Sequence, residues 1–299
     1  MLVMNTKKKS NSPKKTFISK DKKTKTNDVS KSNIPSEKDR KKYFQFKEKV
    51  KKGDPLPSFN EEEIRLNKFL SNAGVASRRE ADVLIQSGVI SINDKIITEL
   101  GYKIKPTDVV KYDGHTINAE KKRYVLLNKP KGFITTMEDP KGRKTVMSLV
   151  SKACKERIYP VGRLDKDTTG LLLFTNDGDL AKKLTHPRFE SKKIYHVFLN
   201  KPVSLEDLQK IREGVVLDDG FVKCDKIDYV EKSGSNFEVG IELHSGKNRV
   251  VRRIFEHLGY EVDKLDRVYF AGLTKRDLPR SFYRHLDEKE VMFLKMNRC

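Results

Sequence analysis

Gly162-Arg163-Leu164-Asp165-Lys166-Asp167-Thr168-Thr169-Gly170-Leu171-Leu172-Leu173-Phe174-Thr175-Asn176-Asp177-Gly178 joins a polar, glycine-bounded loop directly to an apolar run. A run of this length between turn residues reads as a buried strand. Polar loops carried on rigid strands are where catalytic groups tend to sit. The bland reading is a plain turn, since aspartate and glycine favour turns on their own account. The spacing Asp165-x-Asp167-x-Thr169-Gly170 imitates the start of a calcium loop. It fails at the twelfth position, where Asn176 replaces the bidentate Glu, and a Leu-rich strand replaces the flanking helix.

Outward from this loop, strands and helices alternate from Lys121-Lys122-Arg123 onward, an α+β pattern. Strands are expected at 124–128, 171–175, 194–199 and 237–243. Helices are expected at 179–184, 204–212 and 248–258. Phe237, Val239, Ile241 and Leu243 alternate with polar residues, which marks an antiparallel strand with two differently packed faces. No glycine-rich strand-to-helix turn of the dinucleotide-binding kind occurs. Gly240-x5-Gly246-Lys247-Asn248 misses the phosphate-loop spacing by one residue and lacks the Ser or Thr that binds magnesium. A serine nucleophile elbow is also absent. His186, in Thr185-His186-Pro187-Arg188, has no paired carboxylate at useful spacing and reads as structural or RNA-contacting.

Upstream lies a smaller unit. Leu66, Phe69 and Leu70 form a helical stripe that Gly74 ends. Ser77-Arg78-Arg79-Glu80 is a capping box for a second helix, which carries Ala81, Leu84 and Ile85 and stops at Gly88. Residues 89–92, the Asn93-Asp94 turn and residues 95–97 read as a hairpin, with a further strand at 109–112. Arg65 and Lys68 share one helix face. Arg78 and Arg79 sit in a first turn whose free N–H groups favour phosphate. Taken alone, such a pair is more often a solvated helix start.

Charge points to the kind of partner. Sixty-three Lys and Arg against forty-two Asp and Glu give +21 over 299 residues, which suits a polyanion such as nucleic acid. Residues 1–60 hold 18 basic and 6 acidic residues, whereas 61–120 hold 8 and 10. Bulk charge therefore does not make the small unit an RNA binder, and any binding must come from a local basic face. Residues 1–60 are Lys, Ser, Thr and Asn with scattered Pro and one cluster at Tyr43-Phe44-Gln45-Phe46. That stretch buries too little apolar surface to offset its ordering entropy and is expected to be a disordered basic arm. It reads equally as an RNA-binding arm or as a solubilising tail. Its removal should flatten the salt dependence of RNA binding only in the first case. Met1-Leu2-Val3-Met4 passes straight into Lys7-Lys8-Lys9, so no secretory signal is expected. Cys154, Cys224 and Cys299 are odd in number and far apart, matching neither a disulfide framework nor a zinc pattern. No apolar run approaches the ~20 residues that span a bilayer. The expectation is a soluble, cytoplasmic protein without a metal site.

Residues 64–93 resemble the S4 RNA-binding domain, carried by Ser77-Arg78-Arg79 and then Leu84-Ile85-x-x-Gly88. Asn93-Asp94 stands where that family usually has Asn-Gly. The quoted loop and strand, Gly-Arg-Leu-Asp-x-x-Thr-Thr-Gly-Leu-Leu-Leu-x-Thr-Asn-Asp-Gly, resemble the signature of pseudouridine synthases of the RsuA/RluB type. Further elements of that family follow its order: Asn128-Lys129-Pro130-Lys131-Gly132, Lys193-Ile194-Tyr195-His196-Val197, and Gly246-Lys247-Asn248-Arg249-Val250-Val251-Arg252-Arg253. The resemblance implies an S4 (αL-type) domain at 62–119. It implies a catalytic domain at 121–295, built on a mainly antiparallel mixed sheet with flanking helices. It also implies cofactor-free isomerisation of a uridine in ribosomal RNA or a pre-ribosomal particle, by a monomer. Asn-Arg-x-Val-Arg-Arg and the late Leu278-Pro279-Arg280 point to 23S rRNA of the large subunit. The alternatives left open are 16S rRNA as substrate and a non-catalytic S4-bearing assembly factor.

The same resemblance assigns roles. Asp165 is the catalytic carboxylate, as nucleophile or as base at the sugar. Arg252 is the cation that pairs with it, Tyr195 the aromatic partner of the uracil, and Arg163 the residue that fills the space of the flipped base. The RNA contacts implied are Arg65, Lys68, Ser77, Arg78, Arg79, Lys129, Lys247, Arg249 and Arg253.

Overall fold

The computed structural model of the chain describes residues 63–230 and 236–296, so the expected basic arm lies outside the described residues. Ile64–Arg65 (β1) leads into the helix Leu66–Asn72 (α1). Ser77 then starts the helix Arg78–Gln86 (α2): its Oγ accepts from the Glu80 amide, and the Glu80 carboxylate accepts from the Ser77 amide at 2.7 Å. This reciprocal cap satisfies two amides that helix geometry leaves unpaired. Ile90–Ile92 (β2) and Lys95–Ile96 (β3) form the hairpin. Asn93 and Asp94 both take positive φ, 48° and 67°, as a two-residue type I′ turn requires. Lys103–Ile104 (β4) pairs with β1, Val110–Tyr112 (β5) with β2, and His115–Thr116 (β6) with β5. Leu66, Leu70, Ala81 and Ile85 bury against Ile90, Ile92 and Val110.

The larger part runs Tyr124–Lys129 (β7), Met147–Val150 (α3), Tyr159–Pro160 (β8), Thr168–Thr175 (β9), Gly178–Thr185 (α4) and Lys193–Leu199 (β10). Leu205–Glu213 (α5) follows, then the hairpin Val215–Leu217 (β11) and Gly220–Val222 (β12). The rest is Lys226–Tyr229 (β13), Glu238–Leu243 (β14), Val250–His257 (α6), Val262–Phe270 (β15), Leu273–Thr274 (β16), Tyr283–His285 (β17) and Glu288–Met296 (α7). The main sheet has the order β13-β14-β10-β15-β9-β7-β17, with β8 on β9 and β16 on β15. Among the described strands of this sheet, β15 and β9 alone run parallel, so the sheet is mixed and mainly antiparallel, as expected. Among the described residues, no helix is long and apolar enough to cross a membrane.

The apolar run of β9 is explained by burial on both faces. Leu171 and Leu173 pack with Leu180 and Leu184 of α4, while Leu172 and Phe174 pack with Val146, Ile158 and Leu164. The alternation in β14 has the matching cause: Val239, Ile241 and Leu243 face Leu208 of α5 and Ile254 and Phe255 of α6. Strand β15 had no periodic signal, because Asp266 and Arg267 interrupt its apolar residues although both are buried. Its parallel junction with β9 depends on Gly170. A Cβ there would collide with the Arg267 backbone, and its φ of +105° disfavours other residues. Gly170→Ala is expected to cost about 3 kcal/mol, as overpacking plus strain. Equilibrium urea unfolding measures it, and a loss under about 1 kcal/mol would contradict the close-approach account.

The small unit is tied to the larger part by specific contacts. Lys68 donates to Asp179 of α4 at 2.7 Å. Asn176, just beyond β9, holds the connecting segment: its Nδ2 donates to the Lys121 carbonyl (3.0 Å) and its Oδ1 accepts from the Arg123 amide (2.8 Å).

Candidate active site

The loop between β8 and β9 is held by capture of its own backbone. Lys129 ends β7 with 0% exposure, and its Nζ donates to the carbonyls of Thr168 (2.8 Å), Asp165 (3.0 Å), Pro130 (3.2 Å) and Lys166 (3.3 Å). The Gly132 amide donates to the Lys166 carbonyl, and Thr135 Oγ1 donates to the Leu164 carbonyl at 2.7 Å. The element Asn128 to Gly132 thus serves as the frame of the Asp165 loop. Burial pushes the Lys129 ammonium down to about 8, against the opposing pull of Asp167 and Asp165. The expectation that Lys129 touches RNA is corrected here: a fully buried ammonium saturated by carbonyls cannot reach a phosphate. Its sequence context could not separate the two roles, because lysines are almost always exposed.

The loop forms one wall of a cleft of about 260 Å³. Arg163 and Asp165 line it together with Tyr195 of β10, Lys247 and Arg249 before α6, and Arg267 and Phe270 of β15. Asp165 is about one-third exposed, and Arg249 Nη1 stands 3.9 Å from its Oδ2. Arg249 precedes α6 in a left-handed conformation (φ 46°) that sets its side chain on the cleft wall. Tyr195 is half-buried and packs against the cores on both sides of it. Arg163 is exposed at the cleft lip.

Arg252 does not occupy the place expected of it. It is buried within α6, and its Nη1 donates to the Val262 carbonyl at 2.7 Å, while its Nε has no partner. Among the described residues, the cation within ion-pair range of Asp165 is Arg249, three residues earlier. Arg253 also turns away from the cleft, donating to Asp219 (2.8 Å) and to the Asn248 carbonyl (2.9 Å). On the small unit, Arg65, Arg78 and Arg79 are exposed, Lys68 is engaged by Asp179, and the Ser77 hydroxyl is engaged in its cap. His186 accepts from the Arg188 amide through Nδ1, a structural role.

Sequence reading missed a part-buried polar cluster behind the loop, centred on the buried Asp266. Asp266 accepts from Arg280 (3.0 and 3.1 Å), from Lys275 and from Thr169 Oγ1 (2.9 Å). Arg280 also donates to Asn128 Oδ1 at 2.6 Å, joining β7, β9 and β15. The only available signal was the Leu278-Pro279-Arg280 wording, which names one partner and not the cluster. Burial raises the Asp266 carboxyl, but hydrogen bonds from Arg280 and Lys275 outweigh it and hold the group at about 2. Its folded value lies below the unfolded one, so its stabilisation is present above roughly pH 4 and is lost as pH falls towards 2. Asp266→Asn is expected to remove about 2 kcal/mol of the acid-dependent loss of stability over that window, at 1.36 kcal/mol per unit. Urea midpoints measured from pH 5 to pH 2 test this, and an unchanged acid limb would refute it.

A carboxylate beside a guanidinium, facing a tyrosine in a narrow cleft rimmed by Lys and Arg, suits chemistry at a polyanion where positive charge develops. Among the described residues no cluster of His, Cys, Asp and Glu could hold a metal ion.

Comparison with known proteins gives the same picture. Residues 123–257 match the family described as RNA pseudouridylate synthase, and residues 64–110 match the S4 domain. The chain is 41% identical over 233 residues to ribosomal large subunit pseudouridine synthase B of Bacillus subtilis, covering 77% of this chain and 95% of the relative. It is 39% identical to an uncharacterized RNA pseudouridine synthase of Aquifex aeolicus, covering 77% and 92%. It is 37% identical to the dual-specificity RNA pseudouridine synthase RluF of Escherichia coli, covering 77% and 78%. Among solved structures, a crystal structure of a pseudouridylate synthase aligns with a TM-score of 0.56 at 27% identity, over 77% of this chain and 99% of that one.

Proposed function

The chain belongs to the RNA pseudouridylate synthase family and carries an S4 domain, and on that premise we propose that it isomerises one uridine of large-subunit ribosomal RNA. The observation that carries the reading is Asp165 in the cleft, on a loop framed by Lys129 and beside Arg249. Pseudouridine forms when the N1–C1′ bond breaks, the uracil rotates, and C5 bonds to C1′. Oxidation states balance, and the proton on C5 leaves as one is taken up at N1.

The first step resembles glycoside cleavage, with positive charge at C1′ that a carboxylate stabilises or traps. Asp165 supplies that carboxylate, as nucleophile or as base at the sugar. Arg249, with its Nη1 3.9 Å from that carboxylate, sets a positive charge beside it. Tyr195 offers an aromatic face to the uracil and a hydroxyl near the C5 proton. The uridine must first leave its stack, at a few kcal/mol, and Arg163, exposed on the cleft, fills the space left behind. Lys247 and the exposed Arg65, Arg78 and Arg79 supply cations for phosphates, which position the RNA without reading its sequence.

The test is pseudouridine mapping of both ribosomal RNAs, by carbodiimide labelling and primer extension, in cells with and without the gene. Loss of one signal in the large-subunit RNA is expected. Loss in the small-subunit RNA would move the substrate, and no loss at any position would leave a binding factor.

A further inference from the structure

The hairpin of β11 and β12 takes no part in the chemistry above, yet it is fastened to the rim of the cleft. Lys247, a cleft-lining residue, donates to the Asp219 carbonyl at 2.9 Å, and Arg253 donates to the Asp219 carboxylate. One face of the hairpin buries Val215, Leu217 and Val222. The other carries the cross-strand pair Val216 and Phe221, exposed by 68% and 60%. Such apolar area gains nothing from water and becomes favourable once it is covered.

Phe221 is also held in place. Gly214, with φ +109°, lets the ring rest directly against its backbone, where a Cβ would collide with ring atoms Cζ and Cε2. One side of the ring is seated and the rest is open. Lys223 follows on the same exposed side as the ring, and Lys247 Nζ lies at the hairpin turn, held by the Asp219 carbonyl at 2.9 Å.

We propose that Phe221 is a stacking platform for an unpaired RNA base beside the uridine held in the cleft. This rests on the RNA-isomerase reading of that cleft. Flipping a uridine out of its stack strips its neighbour of a stacking partner. A fixed, exposed aromatic ring replaces that partner, and every base has a π-face to offer it. Lys247 and Lys223 supply the charge that the flanking phosphates require.

The chain contains no tryptophan, so Phe221→Trp in the full-length protein adds a single selective fluorophore. Titrated with deproteinised large-subunit rRNA, that variant is expected to show saturable quenching. Phe221→Ala is expected to raise KM for the same RNA about tenfold, with the loss falling on KM and not on kcat, and Phe221→Tyr to restore it. No quenching while the RNA still binds and is isomerised would overturn the platform and leave the cleft reading standing. Spectral change that follows protein concentration without RNA would assign the patch to a second copy of the chain and overturn the proposal. Quenching by RNA in which the wild-type chain forms no pseudouridine would overturn the cleft reading, and with it a platform beside a bound uridine.

Discussion

Asp165→Asn is expected to lower kcat on ribosomal RNA by on the order of 10⁴-fold, the scale seen when a group acting at the reacting centre is removed. RNA affinity should stay within about threefold of wild type, since phosphate contacts set it. The argument turns on how the loop is built. Its position is fixed by carbonyls captured by Lys129 and by the Thr135 hydroxyl on Leu164, and the Asp165 carboxylate makes none of those bonds. Among the described residues its ion-pair partner is Arg249 at 3.9 Å, on an exposed side chain. Asparagine preserves the shape and leaves the frame intact, so chemistry is lost without unfolding. Single-turnover release of tritium from C5-labelled RNA, alongside filter binding, measures both quantities. Activity within tenfold of wild type would remove Asp165 from the mechanism.

Lys129→Met should act in the opposite manner, damaging the frame while sparing every group in the cleft. Methionine fills similar space but leaves the carbonyls of Pro130, Asp165, Lys166 and Thr168 facing a thioether. An orphaned buried acceptor costs roughly 1–3 kcal/mol, partly relieved when the loop shifts towards water. The expected loss is about 3–5 kcal/mol of stability. A shift of about 1 Å at Asp165 would take kcat down about 100-fold. Urea unfolding and single-turnover kinetics on the same preparation test the pair of effects. Wild-type stability with wild-type kcat would show that the ammonium does not anchor the loop.

Much of this site was legible because its signals are local. The Ser77–Glu80 cap, the Asn93-Asp94 turn and the doubly buried run of β9 are each set by a few neighbouring residues. Asp165 and Tyr195 meet in the cleft although thirty positions apart, and motif wording alone pointed to both. What escaped were choices made by tertiary packing. Arg249 and Arg252 stand three apart in one basic run, and only the start of α6 decides which lies on the cleft and which is buried against Val262. Lys129 looks like any surface lysine until four carbonyls close around it. Strand β15 breaks the apolar period with Asp266 and Arg267, whose partners lie in other segments, so no window of sequence could show that these charges are buried.

The ladder across the middle of the sheet has a further consequence. Tyr195 sits opposite Arg267, and Arg267 opposite Gly170, so tyrosine and aspartate loop hang from β10 and β9 with one strand between them. Two strand steps set Tyr195 near 9–10 Å from Gly170, the strand residue to which the aspartate loop is joined, given the common spacing of about 4.8 Å. The sheet, and not the rim, sets how far apart the tyrosine strand and the strand that carries the aspartate loop stand. Rim loops and hairpins can lengthen, shrink or change charge without altering that spacing.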